Sequence, residues 1–199
     1  KNGVRPDEDK IEKVKNLPKP TNLHQLRGFI GLASYYRRFI RGFTTIAQPL
    51  HKLLEKNVPY EWAKEQQYAF ETLKRHLMMA PILRYPEFKE RFYLHTDALS
   101  TGLGAILAQK DKDNKEYVIA YASRELTRTE QNYLASELEC LAVLWAVERF
   151  HYYLEEGTVD IKLGVGVIIN TARKKLYTLT VSRVQIAGCW CDNKHRARR

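Results

Sequence analysis

The hydrophobic pattern changes its period near Phe88, and this change constrains the fold of the 199-residue chain more than any other feature. Before it, apolar side chains recur every three or four residues, as in "LHQLRGFIGLASYY" and "EWAKEQQYAFETLKRHL", which predicts amphipathic helices. After it, "RFYLHTDAL", "GLGAILAQK" and "EYVIAYASREL" have the composition of strands. The sequence therefore predicts a mixed α/β (α+β) fold, in which a small helical module precedes a sheet.

The helical module is predicted to contain three helices after a linker-like first stretch of 20 residues. Thr21 is the candidate N-cap of the first helix. The second is expected over residues 45–54, and Pro81 stops the third. Together these helices make a compact unit of about 80 residues.

The second and third strands are separated by a polar segment, residues 110–116, which predicts an antiparallel hairpin. A long helix is expected over residues 127–154, ended by Gly157. "TVDIKLGVGVIIN" follows as a candidate fourth strand. The buried stripe of the long helix is predicted to comprise Leu134, Leu138, Leu141, Ala142 and Trp145.

Composition excludes several classes of protein. Hydrophobic residues make up 44% of the chain, enough for a packed core, but no apolar run approaches the roughly 20 residues that span a bilayer. The charged start "KNGVRPDEDKIEKV" has no secretory pattern. Three cysteines do not indicate a disulfide framework, and "CWC" has no second pair with which to bind zinc. We expect an intracellular protein with no membrane contact.

Positive charge is concentrated at the end of the chain. The net charge is +10, and residues 161–199 carry nine Lys and Arg against one acidic residue, Asp192. One interpretation is a basic arm that binds phosphates. The interpretation we favour is a solvated tail, or a sequence that is foreign to the preceding domain.

One carboxylate stands out in the strand region. In "LHTDALSTGLGAILAQ" an apolar run ends on Asp97, and Gly102 and Gly104 follow, allowing a tight turn and a close backbone approach. A lone buried carboxylate is costly without a partner. Asp97 is therefore either a metal ligand or an aspartate that caps a turn at a strand end.

Four separated segments occur in an order that resembles a known family. They are "GVRPDEDKIEKVKNLPKPTNLHQLRGFIGLASYYRRFIRGFTTIAQPLHKLL", "YEWAKEQQYAFETLKRHLMMAPIL", "FYLHTDALSTGLGAILAQ" and "IAYASRELTRTEQNYLASELECLAVLWAVERFHYYL". In this order they resemble the Pol polyprotein of gypsy-type LTR retrotransposons. The resemblance implies three regions: the thumb and connection end of a reverse transcriptase (1–86), an incomplete ribonuclease H-like domain (87–160) and a divergent basic tail (161–199).

The resemblance implies a chemistry and two site residues. Ribonuclease H hydrolyses RNA in RNA–DNA hybrids with two Mg²⁺ ions, which carboxylates from different elements must hold. Asp97 matches the first catalytic aspartate of the family. Glu139, in "ELECLA" against the family's "EKECLA", matches the second. Leu99 stands where the family commonly has serine.

The remaining family carboxylates have no match, and a cleavage site of two carboxylates is expected to be impaired. Val165 stands where the third is expected; Asp160 lies five residues earlier, and Asp192 has no matching context. The Tyr-x-Asp-Asp motif of the polymerase palm is also absent from the sequence, so we expect no polymerisation by this chain alone. The alternatives are an active nuclease rebuilt with Asp160 or Asp192, a non-catalytic binding module, and a decayed copy without function.

The resemblance also suggests contacts with nucleic acid. In "SYYRRFIRGF" the residues Arg37, Arg38 and Arg41 alternate with aromatics, so they contact duplex phosphates, form the solvated face of a helix, or do both. Ser123 and Arg124 in "YASREL" lie where contact with a hybrid backbone is expected, although Arg124 can equally pair with Glu125 or Glu130. The expected partners are an RNA–DNA hybrid or a template–primer duplex and the remainder of Pol, in the cytoplasm or the nucleus.

Overall fold

The computed structural model describes residues 3, 4, 6, 8–79, 83–155, 159–163, 168–171, 184–186 and 189–191. Within them a helical module precedes a mixed sheet, as predicted. The helices are α1 (Glu8–Lys15), α2 (Leu23–Tyr35), α3 (Phe43–Lys52), α4 (Lys64–Met78), α5 (Ala135–Arg149) and α6 (His151–Leu154). No helix in these ranges is both long and apolar enough to cross a membrane.

The helical module packs its apolar stripes into one core. α2, α3 and α4 contribute buried side chains that include Leu26, Ala47 and Leu73. The N-cap of α2 is Asn22, whose side chain accepts a hydrogen bond from the backbone N–H of Gln25 at 3.0 Å. The prediction of Thr21 as the cap was wrong, because Thr21 instead donates its backbone N–H to the Gln25 side chain at 2.8 Å.

Five strands form the main sheet in the order β3-β2-β1-β4-β5. β2 pairs antiparallel with both β1 and β3, which confirms the predicted hairpin. β4 pairs parallel with β1, and β5 pairs antiparallel with β4. The strands of this sheet are β1 (Phe92–Leu99), β2 (Gly102–Lys110), β3 (Glu116–Glu125), β4 (Val159–Leu163) and β5 (Ile168–Thr171).

The predicted boundary at residue 160 falls inside β4. Val159 and Ile161 of this strand are buried in the core between the sheet and α5, so this part of the chain belongs to the domain. Two short strands further on, β6 (Val184–Ile186) and β7 (Cys189–Cys191), form a separate antiparallel pair.

The long helix predicted over residues 127–154 is wrong in its first third. A short 3₁₀ helix (Glu130–Asn132) comes first, and α5 begins only at Ala135. The side chain of Glu130 accepts the backbone N–H of Thr127 at 2.8 Å, which closes a local turn instead of a helix. Leu134 precedes α5 and is 70% exposed, so its predicted place in the buried stripe was also wrong.

The helical module and the sheet share a packed interface. Val118 and Tyr121 of β3 pack against the core of the helical module, and the backbone N–H of Arg84 donates to the carbonyl of Val118 at 3.1 Å. Ala120 and Ala122, on the opposite face of β3, pack in the core beneath α5. Each face of this edge strand is therefore covered by a different helical layer.

Candidate active site

β1 carries Asp97 from the core to the surface. Phe92 and Leu94 are fully buried, whereas Asp97 near the end of the strand is exposed. Its cross-strand partner is Gly104, which leaves the neighbouring position on the sheet without a side chain. The carboxylate of Asp97 therefore stands at the rim of the domain, where a solvated ligand can reach it.

The turn after β1 depends on Gly102. A Cβ atom added to Gly102 would lie 2.7 Å from the carbonyl oxygen of Arg124, closer than packed atoms approach each other. At Gly104 the nearest atom would be the carbonyl oxygen of Asp97, at an ordinary 3.8 Å. Glycine is thus required at 102 by the approach of β3, whereas at 104 the backbone has room for a larger residue.

α5 places Glu139 against the end of β1. Its neighbours Leu138 and Cys140 are buried, and Glu139 itself is half-buried. The backbone N–H of Ala98, directly after Asp97, lies close enough to the carboxylate to favour its charged form. The Oε2 atom is buried and has no hydrogen-bond partner among the described residues. The structure therefore brings together the two carboxylates that the sequence singled out.

The charges of the two carboxylates repel each other. The pKa of Glu139 is raised, first because burial disfavours the charged form and second because Asp97 is negative; the Ala98 N–H opposes this rise. An unpaired carboxylate oxygen beside a second carboxylate suits a hard divalent cation such as Mg²⁺, which keeps several waters and takes one or two carboxylates plus phosphate oxygens. The residues present fit such a cation.

No third acidic ligand joins the pair in the part of the chain that the structure describes, where no group of three His, Cys, Asp or Glu side chains could hold a metal. Asp160 pairs with Tyr93 across β1 and β4, four positions before Asp97 and thus about 13 Å away along the strand. Arg91 holds Asp160 with 3.1 Å hydrogen bonds to both carboxylate oxygens. Val165 and Asp192 lie outside the described residues.

The three arginines around α2 and α3 differ in their surroundings. The guanidinium of Arg37 donates to the carbonyl of Ser123, and the pKa of Arg37 is lowered by burial and then by the charge of Arg149. Arg38 and Arg41 are exposed, and the guanidinium of Arg38 lies 5.1 Å from the Phe39 ring centroid. All three arginines are exposed; Arg37 also contacts the sheet through the Ser123 carbonyl, and Arg41 lies near Tyr121 of β3, where its charge opposes the rise in the pKa of that tyrosine.

Ser123 links the sheet to the helical module. It is 5% exposed, and its hydroxyl accepts the backbone N–H of Thr44 at 3.2 Å and lies 3.0 Å from the Thr44 hydroxyl. Its hydroxyl is thus hydrogen-bonded inside the protein, and its contact with a hybrid backbone stays a prediction. Sequence reasoning missed Thr44, because 79 residues separate it from Ser123 and no local pattern connects the two.

Arg124 pairs with Glu130, one of the alternatives that the sequence left open. Its two terminal nitrogens donate to the two carboxylate oxygens of Glu130 at 2.7 Å and 3.0 Å. One of them also donates to the backbone carbonyl of Glu125 at 3.0 Å. The pKa of Glu130 is lowered, chiefly by the hydrogen bond from Arg124. Arg124 therefore makes several contacts within the protein, and its contact with nucleic acid stays a prediction.

Fold and site together define a class of protein. Residues 62–161 match the family of the RNase H-like domain found in reverse transcriptase, so the chain belongs to this family. Such domains are generally dependent on divalent metal ions, in agreement with the carboxylate pair at the end of β1.

The particular relatives are retrotransposon polyproteins. The retrovirus-related Pol polyprotein from transposon 412 of Drosophila melanogaster is 38% identical over 152 residues, 76% of this chain. The transposon Tf2-3 polyprotein of Schizosaccharomyces pombe is 34% identical over 161 residues, 81% of this chain. The chain spans 12% of the length of each. It therefore corresponds to a segment of such polyproteins, and the expected resemblance is confirmed.

Solved structures share the fold. A foamy viral protease-reverse transcriptase dRH in complex with ds DNA aligns with a TM-score of 0.68 at 20% identity, covering 88% of this chain and 30% of that one. The foamy viral protease-reverse transcriptase in complex with an RNA/DNA hybrid aligns with a TM-score of 0.66 at 20% identity, covering 85% and 22%. These alignments include both the helical module and the sheet.

Proposed function

We propose that this chain is the segment of a retrotransposon Pol polyprotein in which the reverse transcriptase leads into ribonuclease H, and that it cleaves RNA in RNA–DNA hybrids only weakly on its own. The observation that carries the proposal is the meeting of Asp97 and Glu139, with one Glu139 oxygen buried and unpaired. Carboxylates from separate elements that meet in this way are typical of cation-dependent phosphodiester hydrolysis.

Asp97 and Glu139 would hold the divalent cation. Such a cation, when bound, activates water and stabilises the negative charge on phosphate oxygens. The backbone N–H of Ala98 favours the charged form of the Glu139 carboxylate, and Oε2 has no hydrogen-bond partner among the described residues, which leaves it for the ligand. Because Asp97 is exposed and its neighbour Gly104 has no side chain, a nucleic-acid backbone can approach the pair across the sheet.

The family and the distribution of charge support the substrate class that we propose. The related foamy viral structures are in complex with ds DNA or with an RNA/DNA hybrid. Arg38 and Arg41 present positive charge on the outside of the helical module, where phosphates of a duplex are attracted. We take the partner to be an RNA–DNA hybrid, held by the module while its RNA strand meets the carboxylates.

Weak cleavage is expected because two cations need more ligands than two carboxylates supply. Asp160 supports the same expectation, since Arg91 occupies both of its oxygens away from the pair. The remainder of a longer polyprotein would be the source of further ligands. The proposal therefore concerns this 199-residue chain by itself.

The experiment is cleavage of an end-labelled RNA–DNA hybrid by the purified chain, with Mg²⁺ or Mn²⁺ and with chelator. We expect trace cleavage that needs the cation and disappears in Asp97→Asn, while hybrid binding persists. Vigorous cation-dependent cleavage would contradict the impaired site, and Asp160→Asn would then identify the missing ligand. Cleavage that survives Asp97→Asn would contradict the site itself.

Binding without any cleavage is the second candidate, favoured by the exposed Arg38 and Arg41. Such a module would bind duplexes with a strong salt dependence and without a cation requirement. In the same assay it would give salt-sensitive binding that chelator leaves unchanged, with no product from the wild-type chain.

A further inference from the structure

We infer that Arg124 is a positioning residue for the carboxylate pair, because it fixes the turn before α5 and thereby sets Glu139 against Ala98 and Asp97. The inference rests on the proposed cation site for its functional meaning. It reassigns Arg124 from contact with nucleic acid to the internal geometry of the site. The contacts of Arg124 on three sides carry the argument.

The first side is the sheet. Arg124 lies opposite Leu103 on β2, and its backbone carbonyl occupies the space that a side chain at Gly102 would fill. β3 therefore approaches the β1–β2 turn very closely at this point. The backbone of Arg124 is consequently fixed relative to the strand end that carries Asp97.

The second side is the turn that precedes α5. The guanidinium of Arg124 donates hydrogen bonds to both carboxylate oxygens of Glu130. The same carboxylate accepts the backbone N–H of Thr127. Two parallel charged hydrogen bonds define the orientation as well as the distance of the partner. Arg124 and Glu130 are only 27% and 16% exposed, so water weakens the pair less than it would at an open surface.

The third side is α5 itself. The guanidinium carbon of Arg124 lies 5.8 Å from the ring centroid of Trp145, and Trp145 packs against the core between α5 and the sheet. Arg124 thus contacts a helical residue six positions after Glu139 as well as the turn before it. Because Arg124 contacts both the turn before α5 and a residue within α5, the position of this helix along its axis is fixed. Glu139 moves only if that position changes.

A matched arginine pair elsewhere in the fold offers a control. Arg84 faces Asp111 with 3.6 Å between the charged atoms, and its guanidinium carbon lies 3.9 Å from the Tyr117 ring centroid. It therefore combines a carboxylate and an aromatic ring as Arg124 does. None of its partners lies on α5, so a change there tests the general cost of losing such an arginine.

The experiment follows the backbone amide of Ala98 by NMR in the full ¹⁵N-labelled chain, because that N–H lies close enough to Glu139 to affect its pKa. Glu139→Gln marks the response of this resonance to a change at the carboxylate. Arg124→Lys keeps the positive charge but loses the bidentate hydrogen bonding to Glu130, and we expect this variant to shift the Ala98 resonance. Arg84→Lys is expected to leave the resonance in place. Glu130→Gln serves as a second variant if Arg124→Lys unfolds.

The affinity for Mn²⁺, measured by calorimetry on the same proteins, gives the functional readout. We expect Arg124→Lys to weaken binding roughly 10-fold, the lower end of the range for residues that orient metal ligands, and Arg84→Lys to have no effect. A purely structural role would lower the melting temperature while the resonance and the affinity of the folded protein stayed unchanged; that result would overturn the inference. If the wild-type chain bound no Mn²⁺, the proposed cation site would fail, whereas the Ala98 resonance would still decide the positioning role.

Discussion

The surroundings of Glu139 disfavour its ionisation, and this affects the stability of the folded chain. Its pKa is raised in the folded chain by burial and by Asp97, so the folded state holds the proton more tightly than the unfolded chain does. The stability that the protonated group contributes is fully present below the ordinary carboxyl pKa, and it is lost as the pH rises through the raised value. At neutral pH the charged carboxylate therefore destabilises the fold.

The first prediction is that Glu139→Gln raises the melting temperature at pH 7 without added cation, because the glutamine carries no charge. Below pH 4 the wild type and the variant should melt together, since both are then neutral at this position. Thermal denaturation at the two pH values measures the difference. If Glu139→Gln lowered the melting temperature equally at both pH values, the charge of Glu139 would already be compensated in the wild-type fold.

The second prediction concerns the two glycines of β2. Gly102→Ala should cost about 1–3 kcal/mol of unfolding free energy, typical of overpacking, because its Cβ would meet the Arg124 carbonyl at 2.7 Å. Gly104→Ala is the control, with an ordinary 3.8 Å contact, and should change stability by less than about 0.5 kcal/mol. Urea unfolding of both variants measures these values, and equal losses would contradict the argument.

At the level of elements, the Arg124–Glu130 ion pair stabilises the segment between β3 and α5. The pKa of Glu130 is lowered in the fold, so its contribution to stability is present above the unfolded pKa of the carboxyl and is lost as the pH falls through the lowered value. This local closure explains why the predicted long helix is wrong there: residues 127–134 were assigned to the helix, but the Glu130 side chain accepts the backbone N–H of Thr127 and closes a turn instead.

The third prediction is that Glu130→Gln costs about 1.5–3 kcal/mol at pH 7, the range for hydrogen bonds to charged groups, and progressively less at acidic pH. Denaturant titrations at pH 7 and pH 3 measure the two losses. Glu125→Gln, next to Arg124, is the control, because only the backbone carbonyl of Glu125 contacts Arg124. A loss that is independent of pH would show that packing, and not the ion pair, holds the turn.

Sequence patterns predicted the strands better than the helix before the site. Alternating burial in β1 follows the alternation of "FYLHTDAL", and the polar segment between β2 and β3 identified the hairpin. The turn before α5 contains Glu130, which Arg124 of β3 contacts from another element. Likewise Asp97 and Glu139 were found from motifs, whereas the internal role of Ser123 depends on Thr44, far away in the sequence.

At the scale of the whole molecule, the two modules share buried polar contacts. Thr44 and Ser123 are both less than 10% exposed and satisfy each other across the interface, and Tyr121 of β3 packs into the core of the helical module. Neither module covers these groups by itself. The helical module and the sheet are therefore expected to unfold together.

The fourth prediction is a positive coupling between Thr44 and Ser123. A double-mutant cycle with Thr44→Val and Ser123→Ala should give an interaction energy of about 0.5–1.5 kcal/mol, the net value of one such hydrogen bond. Each single variant should lower one common melting transition seen by calorimetry. Two separate transitions, or energies that simply add, would contradict the shared interface.

The central claim is that Asp97 and Glu139 form one cation site at the end of β1. Its most direct test is calorimetric titration of the full chain with Mn²⁺, beside Asp97→Asn, Glu139→Gln and Asp160→Asn. We predict that the wild type and Asp160→Asn bind with the same affinity, and that either change in the pair removes binding. No binding by the wild type, or loss of binding in Asp160→Asn alone, would contradict the account.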